Sequence, residues 1–225
     1  MEGVYYFIPA CVHPAYNTFM QAPQAKILRN SICQQRKAVT SEDARVHARS
    51  ISHRLAKLPC YQRAQRIALY ISCAGEVDTK YIVNNAWARG KQLYLPVIRH
   101  IRGPELLFAP YNPGSRMKTN CFSIPEPQVS PAKLLKPHQL DIVITPLVAF
   151  DVHCGRIGMG GGYYDRSFAF LQQQRRWQHP KLVGIAYELQ QIPDCEPEWW
   201  DVSLHYVVTE NRLYSRPAAK FLFIK

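Results

Sequence analysis

The sequence predicts a single α/β domain with a mostly parallel central sheet. Three observations carry that expectation. Apolar runs of strand length at residues 66–72, 92–98, 141–150 and 181–187 alternate with stretches of helical period. Residues 66–98 form a strand, helix, strand unit of the kind that pairs in parallel through a right-handed crossover. A glycine cluster at residues 155–162 lies between a buried strand and a helix. The 225 residues carry no internal repeat or low-complexity block, and that length buries a full core in one domain.

Taken in order, residues 1–23 lack periodicity and also lack the basic start and apolar core of a secretory signal, so an irregular extension is expected, with Met20 as an alternative start. The domain proper spans 24–212. A first helix over 24–38 puts Ala25, Leu28 and Ile32 on one face and leaves Lys26, Arg29, Arg36 and Lys37 on the surface. Thr40 followed by Asp43 reads as the cap of a second helix, in which Ala44, Ala48, Ile51, Leu55 and Leu58 recur at helical spacing until Pro59 stops it.

The strand at 66–72 leads through a loop bearing Gly75, Glu76 and Asp78 into a helix over 79–89 closed by Gly90, and then into the strand at 92–98. Residues 106–109 and 121–124 read as two short strands around the Asn112-Pro113-Gly114 turn, and 125–136 as loop. The buried strand at 141–150, the glycine loop and a helix over 167–171 follow. Strands at 181–187 and 206–209 complete the domain, and 213–225 reads as a tail.

Lys and Arg outnumber Asp and Glu by 28 to 16, a net charge of +12, which favours anionic partners. The cations are spread along the chain, with small groups at Arg99, Arg102 and Arg175-Arg176, so a dedicated nucleic-acid arm is not expected. No apolar run approaches bilayer length. Seven cysteines without a C-x-x-C pair suggest neither a zinc site nor a disulfide framework, but reduced thiols of a cytoplasmic protein. Cys154, within the glycine-rich stretch, reads as a passive loop residue, because no activating neighbour is evident.

The glycine loop lacks the G-K-[ST] ending of a Walker A motif, and Tyr163 stands where a dinucleotide fingerprint has its third glycine. Two readings stand: a phosphate cradle built from backbone N–H groups at a helix start, or a glycine-rich structural turn. Arg156 offers a bidentate contact to phosphate. Asp165 is either a magnesium ligand or an acidic residue favoured at a helix start.

The blocks Thr145-Pro146-Leu147-Val148-Ala149-Phe150-Asp151 and Gly155-Arg156-Ile157-Gly158-Met159-Gly160-Gly161-Gly162-Tyr163-Tyr164-Asp165 closely resemble the signature of the 5-formyltetrahydrofolate cyclo-ligase, or methenyltetrahydrofolate synthetase, family. The resemblance extends to Leu28-Arg29 with Arg36-Lys37, Tyr70-Ile71-Ser72 with Glu76-Val77-Asp78-Thr79, Tyr94-Leu95-Pro96-Val97 and Trp200-Asp201, in the same order from about residue 26 to 209. It implies a three-layer, Rossmann-like α/β fold, related to sugar-phosphate isomerases and coenzyme A transferases, with the site at the carboxyl ends of the strands.

The implied activity is ATP- and magnesium-dependent closure of 5-formyltetrahydrofolate to 5,10-methenyltetrahydrofolate, with release of ADP and phosphate, in a cytoplasmic monomer with no nucleic-acid or membrane partner. By the resemblance, Lys26, Arg29, Arg156, Ile157, Gly158, Met159, Gly160, Gly161, Gly162, Tyr163 and Tyr164 bind ATP. Asp165 and Asp201 hold magnesium. Ile71, Glu76, Met159 and Tyr163 meet the folate, which can carry a polyglutamate tail, and Arg156 and Tyr163 are the catalytic positions. Some members carry a basic residue where this chain has Ala25, with Lys26 beside it, and others carry basic residues at the positions of Met159 and Gly161. Fewer charges in the loop put more of the phosphate clamp on Arg156. Two rivals stand beside this reading: a sugar-phosphate isomerase or transferase, which would need no ATP, and a nucleic-acid-binding module, which rests on charge alone.

Overall fold

The computed structural model describes residues 22–98, 105–173 and 179–216. The expected irregular extension, with its Met20 start, therefore lies outside the described residues up to position 21, as do Arg99, Arg102, Arg175-Arg176 and residues 217–225. Helix α1 (Ala22–Ala38) leads into α2 (Ser41–Leu55). At the start of α2 the Thr40 hydroxyl accepts the Asp43 N–H at 3.1 Å and donates to the Asp43 carboxylate at 2.7 Å, which satisfies one orphan amide of the first turn. Pro59 does not stop this helix. It opens α3 (Pro59–Arg63), where its fixed φ suits the first helical position and its missing N–H costs nothing.

Strand β1 (Arg66–Ala68), helix α4 (Lys80–Ala88) and strand β2 (Gln92–Ile98) form the expected crossover, and β1 pairs with β2 in parallel. β3 (Leu106–Tyr111) returns antiparallel to β2 over six residue pairs. The strand expected at 121–124 is a turn instead, because Asn120 Oδ1 accepts the N–H groups of Phe122 and Ile124. The small ladder forms on either side of it, between β4 (Met117–Thr119) and β5 (Pro125–Pro127).

The long run at 141–150 splits into β6 (Ile142–Thr145) and β7 (Ala149–Phe150), because Pro146 has no N–H for the ladder. β7 forms a hairpin with β8 (Arg156–Ile157). Then come α5 (Tyr163–Phe168), α6 (Phe170–Gln173), β9 (Lys181–Ile185), β10 (Tyr206–Val208) and β11 (Leu213–Ser215). β11 corrects the expected tail: it pairs antiparallel with β10, and Tyr214 on it is buried.

The main sheet runs β11-β10-β9-β6-β1-β2-β3, with the inner strands parallel and one antiparallel strand at each edge. Strand alternation sorts its side chains into two layers. Ile67, Leu93, Leu95, Ile142, Ile144, Val183, Ile185 and Val208 pack with Ile51 and Leu55 of α2 and Ile82 and Ala86 of α4. Ala68, Tyr94, Val143, Leu182 and Val207 face the other way, toward Phe168 of α5, Leu147 and Leu204. Helices on both faces make the domain three-layered, and every side chain of β6 is buried. Among the described residues no helix is long and apolar enough to cross a membrane.

Candidate active site

From β1 the chain proceeds to β2 on one side, whereas from β6 it proceeds to β9 on the other, so the order reverses between the adjacent strands β1 and β6. Open α/β sheets bind ligands at such a switch point, beyond the carboxyl ends of the strands. Two segments meet there. Residues 69–79, after β1, carry Ile71 and Glu76. Residues 146–162, after β6, carry the β7–β8 hairpin and the glycine loop.

The hairpin is built around a buried carboxylate. Asp151 Oδ1 accepts the N–H groups of His153 (2.8 Å) and Gly155 (2.9 Å), and Oδ2 accepts that of Cys195 (3.0 Å). Gly155 is required beside it, since a Cβ there would lie 2.5 Å from Asp151 Oδ2. Cys154 is fully buried, and burial, reinforced by Asp151, pushes its thiol up to about 11, so it is inert, as expected. The hairpin's outer face packs Val148, Ala149 and Ile157 against Leu28 and Ile32 of α1.

That packing brings Arg29 of α1 over the glycine loop, where its Nε donates to Gly158 O at 2.8 Å. Arg166 Nη2 donates to Gly161 O at 2.7 Å, and its guanidinium lies 5.3 Å from the Tyr163 ring centre. Two loop carbonyls are thus tied back by guanidinium groups. Gly160 (φ 90°) and Gly162 (φ 63°) take left-handed conformations that suit glycine. Gly162 caps α5, which begins at Tyr163, four residues before the expected helix, so Asp165 sits in the first turn of α5. α5 is fixed from behind by Ser167 Oγ, which accepts the Leu106 N–H at 2.8 Å.

Arg156 Nη2 donates to Asp165 Oδ1 at 2.6 Å, and the same oxygen accepts the Val202 N–H at 3.1 Å. Arg156 Nε is buried without a hydrogen-bond partner. Asp201 lies next in the network: burial raises its carboxyl, the Glu198 N–H opposes the shift, Asp165 adds to it and Arg156 opposes it. Arg29 is pushed down by burial and held up by Asp201. Two carboxylates, Asp165 and Asp201, beside a phosphate-type loop fit magnesium, which takes one or two protein carboxylates and completes its shell with substrate oxygens and water. Among the described residues no set of three or more His, Cys, Asp or Glu side chains forms a metal cage, so any ion here would need those outside ligands.

At the other end, Glu76 Oε2 accepts the Cys73 N–H at 3.1 Å. Burial raises its carboxyl, while the Cys73 N–H and Arg36 oppose that rise. Burial also raises the Tyr164 hydroxyl, with Glu76 adding to the shift and Arg156 opposing it. Arg156 thus joins the two ends of the site: it is paired with Asp165 and lies 5.9 Å from the Tyr164 ring centre, while Asp201 acts electrostatically on Arg29 and Glu76 on Tyr164, a line from Arg29 to Glu76.

Of the other expected site residues, Met159 is 68% exposed at the loop tip, and Lys26 is exposed on α1 one turn before Arg29. Tyr163 meets Phe122 edge-on, with ring centres 6.1 Å apart, and Ile71 packs on the core beyond β1. Ile157 points its side chain into the α1 packing. Sequence reasoning missed Arg166 and the role of Asp151, and it placed Arg36 on the surface where the structure buries it. The signal for Asp151 was an acidic residue closing an apolar strand; Arg36 carried none, since a helical arginine reads as a solvated face.

The 5-formyltetrahydrofolate cyclo-ligase family model matches residues 21–210. The chain is 36% identical over 185 residues to the 5-formyltetrahydrofolate cyclo-ligase of Escherichia coli (strain K12), covering 81% of this chain and 98% of that protein. It is 36% identical over 187 residues to the cyclo-ligase of Haemophilus influenzae, covering 82% and 97%. The structure of Aquifex aeolicus 5,10-methenyltetrahydrofolate synthetase superposes with a TM-score of 0.70 at 26% identity, over 89% of this chain and 99% of that one. The synthetase from Mycoplasma pneumoniae does so with a TM-score of 0.63 at 28% identity, over 83% and 99%.

Proposed function

Because the chain belongs to the 5-formyltetrahydrofolate cyclo-ligase family, we propose that it is a carbon–nitrogen ligase that converts 5-formyltetrahydrofolate to 5,10-methenyltetrahydrofolate at the expense of ATP. The observation that carries the reading is the line from Arg29 to Glu76 across the switch point. One end is cationic and rich in backbone N–H groups, suited to a triphosphate; the other is a half-buried carboxylate, suited to the amino group and adjacent ring N–H of a pterin.

A formamide oxygen is a poor leaving group. In the proposed sequence the formyl oxygen attacks the γ-phosphorus and ADP departs. The folate N10 then attacks the formyl carbon, the new C–N bond forms, and the formyl C–O bond breaks. Inorganic phosphate leaves with the formyl oxygen, and the N10 proton is lost to solvent. Such chemistry asks the protein mainly for positioning and charge stabilisation. Arg156 and the loop N–H groups of residues 158–164 hold the phosphates, with Arg29 and Lys26 approaching from α1. Magnesium, held by Asp165 and Asp201, would neutralise charge on the phosphate oxygens. Tyr163, Met159 and Ile71 line the folate side, with Tyr163 where the two substrates meet.

The +12 charge suits ATP and a polyglutamylated folate, both polyanions. The six described cysteines are free thiols, which supports a cytoplasmic setting, and we take the enzyme to act as a monomer. With 18O in the formyl group, the label is expected in inorganic phosphate. Unlabelled phosphate beside cyclised product would contradict the phosphorylated intermediate, and no cyclised product would contradict the whole reading.

A further inference from the structure

Arg36 is 3% exposed although it sits on a helix that also carries solvent-facing cations. Its Nη1 donates to Leu147 O at 3.3 Å and its Nη2 to Ala74 O at 3.1 Å. Leu147 lies just beyond β6 and Ala74 in the turn beyond β1, so one guanidinium joins the two loops that flank the switch point. Its Nε is buried and unpartnered. The turn it grips is tight: Ala74 (φ 48°) and Gly75 (φ 78°) are both left-handed, and a Cβ on Gly75 would come within 3.4 Å of the Arg36 carbonyl group. Glu76 is the next residue.

We infer that Arg36 is the positioning residue for Glu76: it clamps the Glu76 turn against the loop that follows β6 and places a fixed positive charge beside the carboxylate that receives the folate. The inference rests on the proposed pterin contact of Glu76. The fork geometry matters, because a guanidinium reaches two carbonyls at once while an ammonium is a point donor. The clamp is specific to the Glu76 side. Leu147 O also accepts Gln190 Nε2 at 3.1 Å, and Gln190 binds Val148 O at 2.8 Å, so the β6 side stays anchored without Arg36.

The groups that face Glu76 are Cys73 and Tyr70 from its own segment, Tyr164 from α5 and Arg36 from α1; of these four Arg36 is the cation. Burial raises the Glu76 carboxyl and Arg36 opposes that rise, so removing the cation moves protonation of Glu76 to higher pH. A protonated Glu76 no longer accepts two hydrogen bonds from the pterin.

Calorimetric binding of 5-formyltetrahydrofolate and of ATP, measured separately across pH 5 to 8 for wild type, Arg36→Gln and Arg36→Lys, tests this. For Arg36→Gln, folate affinity is expected to fall about tenfold, the order of one charge-assisted hydrogen bond, with ATP affinity within about twofold. The acidic loss of folate binding should move to higher pH in Arg36→Gln and stay at the wild-type position in Arg36→Lys. Equal losses for both ligands, or a lowered unfolding midpoint with both affinities unchanged, would make Arg36 purely structural and overturn the inference. Where Arg36→Gln fails to fold, Arg36→Lys decides: a folate-selective loss with an unmoved acidic limb supports the positioning role, and an equal loss or no loss overturns it. Wild-type protein that binds the folate without turnover would defeat the proposed reaction alone; failure to bind the folate would defeat both.

Discussion

Arg156 and Asp165, the guanidinium expected to hold phosphate and the carboxylate expected to hold metal, are partners of each other at 2.6 Å. Their side chains are 6% and 21% exposed, so the pair is shielded from water, and losing one member strands the other. In the proposed reaction an incoming magnesium triphosphate would offer each a partner of the right sign: phosphate oxygens for Arg156 and the ion for Asp165.

Arg156→Ala is accordingly expected to weaken ATP binding by about 10- to 100-fold, the worth of a charged hydrogen-bonding group, with folate affinity much less affected. Asp165→Asn retains an oxygen for the Val202 N–H and should raise the magnesium concentration for half-maximal turnover by about tenfold. Equilibrium titration with ATP and a magnesium-dependence series check these; an unchanged constant in either removes that residue from its role.

Arg166→Met removes the hydrogen bond to Gly161 O but leaves Arg29 on Gly158 O. The Arg166 bond is exposed, so a modest rise of about three- to tenfold in KM for ATP is expected, with little change in the unfolding midpoint. A wild-type KM would show that the loop needs no brace at Gly161.

Gly155→Ala drives a methyl group to 2.5 Å from Asp151 Oδ2 and 3.1 Å from Cys195 Cβ. Displacing that carboxylate disturbs its three N–H bonds, and a loss of about 2–3 kcal/mol in a denaturant titration is expected. An unchanged midpoint would mean that the hairpin yields at no cost.

Burial, with Lys181, Arg216 and His179 adding to it, pushes His205 down from 6.5 to about 4, and its Nδ1 accepts the Leu182 N–H at 3.1 Å, which only a neutral ring can do. A depressed folded value means that this stabilisation is fully present above pH 6.5 and is lost as pH falls through about 4. The contribution is up to about 3 kcal/mol. Urea midpoints at pH 7 and 4.5 should show a smaller acid loss in His205→Asn than in wild type; equal losses would assign the acid sensitivity to other groups.

Much of the fold was legible because its signals are local. The apolar runs at β2 and β9 and the helical spacing of Ala48, Ile51 and Leu55 report the layers directly. What misled was chemistry that depends on partners distant in sequence. Pro146 divides an apolar run that reads as one strand, Asn120 folds 121–124 into a turn, and Leu213–Ser215 becomes a strand because β10 offers it an edge. The glycine loop was legible as a loop, and its relation to Glu76 came from resemblance to a family. The burial of Arg36 was not legible, since a helical arginine earns burial only when two carbonyls from elsewhere in the chain converge on it.

The most direct measurement follows the methenyl product's absorbance and ADP release together, with 5-formyltetrahydrofolate, ATP and magnesium supplied and each omitted in turn. Equimolar ADP and methenyl product, abolished by leaving out ATP or magnesium, is the expected result. Folded protein that forms no methenyl product, or that forms it without ATP, would contradict the proposed reaction.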